Sequence, residues 1–132
     1  MRTREQEWAQ SAYERVRNRD RENKDKGWRD KYLSLARGFP QLVKTSGFAH
    51  AIAFVLSRDE KAYNDFLQDV AATLRFKSVS QLEEQARTAS LPEYTRLTRQ
   101  VLGVSQWYRR YVDIFFDKDS GDGEAAEGGM GR

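Results

Sequence analysis

The segment PEYTRLTRQVLGVSQWYRRYVDIFF, residues 92–116, decides the fold class. Within it Tyr94, Leu97, Val101, Val104, Tyr108, Tyr111 and Phe115 recur at alternating steps of three and four. That spacing is a heptad seam, an apolar edge that wants to lie along another helix for its full length. Just upstream, Ser90-Leu91-Pro92-Glu93 has capping-box spacing, in which a hydroxyl and a carboxylate each satisfy a backbone N–H that the helix start leaves open. Pro92 falls in the first turn, where its missing donor costs little.

Working outward, the same period returns. Only two prolines occur in the chain, and Gly27, Gly38, Gly47 and Gly103 are the glycines of residues 1–116. Few breakers and many Ala, Leu, Arg, Gln and Glu residues favour helices. Capping-box spacing recurs at Thr3-Arg4-Glu5-Gln6, Ser57-Arg58-Asp59-Glu60 and Ser80-Gln81-Leu82-Glu83. A first helix is expected over residues 4–19, with Trp8, Ala9, Ala12 and Val16 as its stripe. Residues 17–26 alternate charges with no apolar residue and read as a frayed helical extension or a mobile loop. A second helix starts near Gly27 and carries Trp28, Tyr32, Leu35, Ala36, Phe39, Leu42 and Val43 through Pro40, which should kink it rather than end it. Gly47 is its expected terminator. Residues 48–56 are apolar nearly all round, so that helix is expected at the centre of the fold. A fourth helix over residues 59–75 and a short fifth over 81–88 complete the set. There is no strand-like alternation and no internal repeat. The expectation is an all-α, compact bundle of about six helices, one domain over residues 1–116, followed by a disordered acidic tail over 117–132.

Composition narrows function. The 132 residues contain no Cys, which removes disulfides and thiolate metal sites and fits a reducing cytoplasm. The start, Met1-Arg2-Thr3-Arg4-Glu5, lacks the apolar run of a secretory signal. No stretch approaches the roughly 18 apolar residues of a membrane span. One histidine, His50, cannot build a His-based metal cluster, and no glycine-rich phosphate loop precedes a helix. The adjacent acids Glu83-Glu84 and Asp59-Glu60 suit first helical turns better than acid/base chemistry. No catalytic residue, cofactor or metal is therefore expected, and the chain reads as not an enzyme.

The charge is distributed unevenly. Of 23 basic and 20 acidic residues, the tail holds two bases and five acids, which leaves 21 and 15 on residues 1–116, or +6. A basic body with an acidic tail fits a polyanion binder, as well as an ordinary solvated surface. In the sixth helix Arg96, Arg99, Gly103, Gln106 and Arg110 form a second stripe roughly opposite the seam. Three guanidiniums over roughly 20 Å of helix could track successive phosphates, and Gly103 would admit a close backbone approach. Arg37 and Lys44, seven apart, add a basic face on the second helix, and Arg15 and Arg19 lie on the first among interspersed acids. Trp107 and Ile114, also seven apart, edge the polar face and mark a candidate protein interface, unless another helix covers them.

The order of these pieces resembles a known family. Thr3-Arg4-Glu5-Gln6-Glu7 opens the first helix. Lys31-Tyr32-Leu33-Ser34-Leu35-Ala36-Arg37-Gly38-Phe39-Pro40 runs on to Lys44-Thr45-Ser46-Gly47-Phe48 and Ala49-His50-Ala51-Ile52-Ala53-Phe54-Val55. Ala62-Tyr63 follows, and Tyr94-Thr95-Arg96-Leu97-Thr98-Arg99-Gln100-Val101-Leu102 leads to Trp107. Over residues 3–116 this is similar to the small all-helical subunit of type III-B (Cmr) CRISPR–Cas RNA-targeting effector complexes. The resemblance implies a non-catalytic structural subunit of an RNA-silencing complex in antiviral defence. It implies copies stacked as a minor filament that helps hold the guide RNA–target RNA duplex. The implied partners are the other Cmr subunits (backbone and large subunits), neighbouring copies of itself, crRNA and target RNA. The RNA-contact candidates are Arg96, Arg99, Arg110, Arg37 and Lys44. Three rival readings are a helical protein–protein adaptor without a nucleic-acid role, an unrelated small subunit of a sibling CRISPR type, and a DNA-binding regulator built on the Ser46-Gly47 turn. The helix after that turn is too apolar to read a groove.

Overall fold

The computed structural model describes residues 1–116. These form six α-helices, and no strand occurs among them: α1 Arg4–Glu22, α2 Lys26–Ser46, α3 Phe48–Arg58, α4 Lys61–Thr73, α5 Val79–Thr88 and α6 Leu91–Phe115. The tail expected to be disordered, residues 117–132, lies outside the described residues.

Two of the expected capping boxes form. The Gln6 N–H donates to Thr3 Oγ1 at 3.1 Å while Thr3 N–H donates to Gln6 Oε1 at 2.8 Å, and Ser90 and Glu93 make the same exchange at the head of α6. The other two do not. Ser57 donates to the Phe54 carbonyl inside α3, which runs on to Arg58. Asp59 then turns the chain in the left-handed region (φ 49°, ψ 49°), and α4 starts after Glu60 without a side-chain cap. At α5 the cap is Ser78 rather than Ser80, with the Gln81 N–H donating to Ser78 Oγ at 3.1 Å. The earlier start draws Val79 into the helix, where it packs on the core.

The charged run over residues 17–26 resolves into helix and a short connection. α1 continues to Glu22, and Asp25 caps α2 by accepting from the Trp28 N–H at 2.9 Å. Arg29 fastens the connection, donating to Asp20 Oδ1 at 2.7 Å and to the Asn23 carbonyl at 2.9 Å. α2 passes through Pro40 without ending. Gly47 closes α2 and opens α3 with φ +88° and ψ 152°, a backbone state that residues with a Cβ rarely adopt.

α6 runs antiparallel to α2: Trp28 meets Phe116 at one end, and the Tyr94 hydroxyl accepts the Ala49 N–H at 3.0 Å just past the other. α1 lies parallel to α6, with Trp8 against Gly103 and Tyr13 against Tyr111 and Phe115. α4 packs on all three of these helices. Its Phe66 is wholly buried and meets Tyr32, Phe39 and Tyr108 edge-on at 5.4 to 5.8 Å between ring centres. Such pairs add to stability beyond the area they bury. The all-apolar α3, expected at the centre, instead lies at the edge. It buries Phe48, Ala51, Ile52 and Val55 but leaves His50, Ala53 and Phe54 exposed. With eleven residues it buries only one side, and α4 occupies the middle in its place.

Candidate nucleic-acid interface

Two groups of arginines bear on a nucleic-acid surface, apart from Arg75 and Arg87, which hold surface pairs with Glu7 and Glu83. One group is consumed by buried carboxylates. Asp69 on α4, 1 % exposed, accepts from Arg19 Nε at 3.0 Å, from Arg15 at 3.3 Å and from the Tyr32 hydroxyl at 2.6 Å. Asp65, one turn earlier, accepts from the Trp28 indole at 2.9 Å and from Lys61 at 2.8 Å. The Tyr108 hydroxyl reaches the Asp69 carbonyl at 3.0 Å and Thr73 Oγ1 at 2.7 Å, and Thr73 continues to Ser11. These groups tie α1, α2, α4 and α6 together. Burial, and the Asp69 charge after it, pushes the Tyr32 phenol well above its usual pKa. Tyr108 is raised as well, first by burial and then by Asp69. Burial works against the Arg19 charge, but the Asp69 hydrogen bond and charge outweigh it and leave its pKa raised. Arg15 and Arg19 therefore serve the fold. Their partner is Asp69, about fifty residues away, and not the acids interspersed along α1.

The second group faces out. Arg96, Arg99 and Arg110 on α6 are exposed, and none makes an ion pair or side-chain hydrogen bond among the described residues. Lys44 in the last turn of α2 is in the same state. Arg37 differs: its Nε donates to Asp113 Oδ1 at 2.8 Å, an exposed pair that joins α2 to the end of α6. Asp113 is three residues from Arg110, so Arg37, Asp113 and Arg110 share one corner. Lys44 belongs to the other end, where α2, α3 and α6 meet at Tyr94.

Gly103 does not serve as expected. A Cβ there would sit 2.7 Å from Trp8 Cζ3, so the glycine admits the indole of α1 rather than an outside backbone. With Gln106 half-buried, α1 interrupts the stripe and separates Arg96 and Arg99 from Arg110. The two parts lie about 16 Å apart along the axis at the helical rise. Trp107 is half-buried, stacks on Tyr111 and donates its indole N–H to Glu5 Oε1 at 2.9 Å, so α1 covers it in part. Ile114 remains 49 % exposed.

Asp65 and Asp69 were not singled out from the sequence. The available signal was two carboxylates, four apart, on the apolar side of the fourth helix beside Phe66 and Val70. Arg29, which looked like a surface cation of α2, is buried over the Phe116 ring with its guanidinium carbon 4.4 Å from the ring centre. Among the described residues no group of three or more His, Cys, Asp or Glu could hold a metal ion, and no helix is long and apolar enough to cross a membrane.

Comparison with known proteins places this geometry. The family of CRISPR-associated proteins described as Cas_Cmr5 matches residues 4–115. The CRISPR system Cmr subunit Cmr5 of Thermus thermophilus is 40 % identical over 118 residues, which are 89 % of this chain and 100 % of that protein. The X-ray crystal structure of a CRISPR-associated Cmr5 family protein from Thermus thermophilus superposes with a TM-score of 0.80 at 41 % identity, covering 87 % of this chain and 98 % of the other. Six helices in this order and a match that spans nearly every described residue lead to one conclusion: the chain belongs to the Cmr5 family of CRISPR-associated proteins.

Proposed function

We propose that the chain is a non-catalytic structural subunit of a type III-B Cmr complex, and that it helps hold the guide RNA–target RNA duplex. Copies of it stack end to end as a minor filament beside the other Cmr subunits in the cytoplasm, through heterologous contacts. The observation that carries the RNA part is the unpaired state of Arg96, Arg99 and Arg110, in a body whose other α1 and α2 arginines are largely engaged. An exposed guanidinium without a carboxylate partner keeps its forked donors for phosphate. Lys44 extends this surface at one end, and Arg37, paired with Asp113, adds a guanidinium at the Arg110 corner. The two-part stripe suits contact with two separated stretches of backbone rather than one continuous track. Recognition of this kind reads shape and phosphate, not sequence.

The subunit contacts are carried by Ile114 with the exposed edge of Trp107, and by Phe54 on α3, which is 46 % exposed. Replacing Arg96, Arg99 and Arg110 by Ala tests the reading. The triple variant should keep its helix content and its place in the assembled complex while target RNA binding weakens and its salt dependence flattens. Normal binding at low salt would remove the stripe from the interface and favour a purely protein–protein adaptor.

A further inference from the structure

The groove between α1 and the last turns of α6 holds a surface cleft of about 350 Å³, lined by Arg2, Gln6, Ala9, Gln10, Tyr13 and Tyr111. Its walls are aromatic. The Tyr13 and Tyr111 rings meet edge to face at 5.6 Å, and Tyr13 also meets Phe115 at 5.4 Å. The outer supports are fixed: Trp107 stacks on Tyr111 at 6.0 Å, and the Arg17 guanidinium carbon lies 5.3 Å from the Tyr13 ring centre. Tyr13 remains 36 % exposed, and neither phenol hydroxyl has a hydrogen-bond partner among the described residues. The floor is polar in a particular way. Gln6 uses its carbonyl oxygen on the Thr3 N–H and so keeps its amide N–H donors. Gln10 uses its amide N–H on Glu14 and so keeps its carbonyl oxygen. No carboxylate lines the cleft, and Arg2 stands at its margin.

We propose that this cleft is a pocket for a single unpaired RNA base, stacked on the Tyr13 ring with the Tyr111 ring and the Gln6 and Gln10 amides at its edge and Arg2 at its phosphate. The proposal rests on the RNA-contact reading above and adds a second kind of contact to it. A nucleobase offers a π-face for stacking and alternating donors and acceptors for an amide pair. An apolar side chain of a protein partner would leave both amides and both phenols unanswered, and the one charged residue that lines the cleft is the cation Arg2. Stacking tolerates every base, so little sequence preference is expected.

The test uses the full chain and a short single-stranded RNA carrying 5-bromouridine. Tyr13→Ala should weaken binding roughly tenfold without altering the slope of log Kd against log salt, because a ring carries no counterion with it. Tyr13→Phe should bind as the parent does. Photocrosslinks in the unaltered protein should map to Tyr13 or Tyr111. Parent-like affinity of Tyr13→Ala, or crosslinks confined to other residues, overturns the pocket. Unchanged RNA affinity together with lost assembly of the Cmr subunits places a protein side chain in the cleft instead. The Arg96, Arg99 and Arg110 variant separates the two proposals, since it should lower affinity and slope together. If it binds normally while Tyr13→Ala fails, the pocket stands and the stripe falls. Absence of RNA binding by the parent protein at low salt overturns both.

Discussion

The Tyr32 hydroxyl donates to Asp69 Oδ2 at 2.6 Å in the interior of the bundle, where Tyr32 is 0 % and Asp69 1 % exposed. Asp69 answers at the same time to Arg15 and Arg19. One carboxylate thus serves α1 and α2 from α4, and it satisfies the buried Tyr32 hydroxyl, which would otherwise be stranded.

Removing that carboxylate should therefore cost more than any single contact suggests. Asp69→Ala strands the buried Tyr32 hydroxyl and leaves the Arg19 guanidinium only its longer contacts to Asp65, and about 3–5 kcal/mol of destabilisation is expected. A urea titration followed by far-UV circular dichroism checks this. A midpoint within experimental error of the parent would show the network to be energetically idle.

Alkaline pH should loosen the fold through the two buried phenols. The folded-state pKa of Tyr32 and of Tyr108 lies above the ordinary 10.0, so both stay neutral in the fold while the unfolded chain ionises. Their contribution is present in full below pH 10 and declines as pH rises above it, by about 1.4 kcal/mol per pH unit for each phenol. Tyr108→Phe should be less stable at neutral pH and show a shallower alkaline decline. Equal alkaline slopes for parent and variant would contradict the buried assignment.

Gly103→Ala distinguishes a packing role from an open surface. On a solvent-facing helical site the change would stabilise by about 1 kcal/mol. Here the new methyl meets Trp8 Cζ3 at 2.7 Å, and overpacking of about 1–3 kcal/mol should exceed that gain. The denaturation midpoint should fall. A rise would mean that α1 does not press on α6 at this position.

The ion pair between Arg37 and Asp113 should contribute little. Both side chains are more than 40 % exposed, so Arg37→Ala is expected to change stability by less than about 1 kcal/mol. Arg19→Ala should cost several times more, because Arg19 lies against the buried Asp69. Paired chemical denaturation of the two variants reads the ratio directly.

The helices were legible in the sequence because they depend on local periodicity. The stripe of α6, the passage through Pro40 and the stop at Gly47 each follow from residues within a few positions of one another. Thr3 and Ser90 announce their helices by the residue three places on, whereas Ser57 and Ser80 carry the same spacing without capping. Spacing alone does not say which of two serines lies at the helix boundary, and at α5 it is Ser78 that caps, with Val79 partly buried against the core.

What the sequence determined by itself was an all-helical chain, the approximate bounds of its six helices and the family to which their order belongs. Which arginines stay free was decided only by the tertiary structure. Arg19 and Arg96 look alike in sequence, yet one faces Asp69 across fifty residues and the other faces solvent. Gly103 likewise changed meaning once Trp8 was laid over it. The physical reason is that helical period depends on near neighbours, whereas burial and charge pairing depend on which faces distant segments press together.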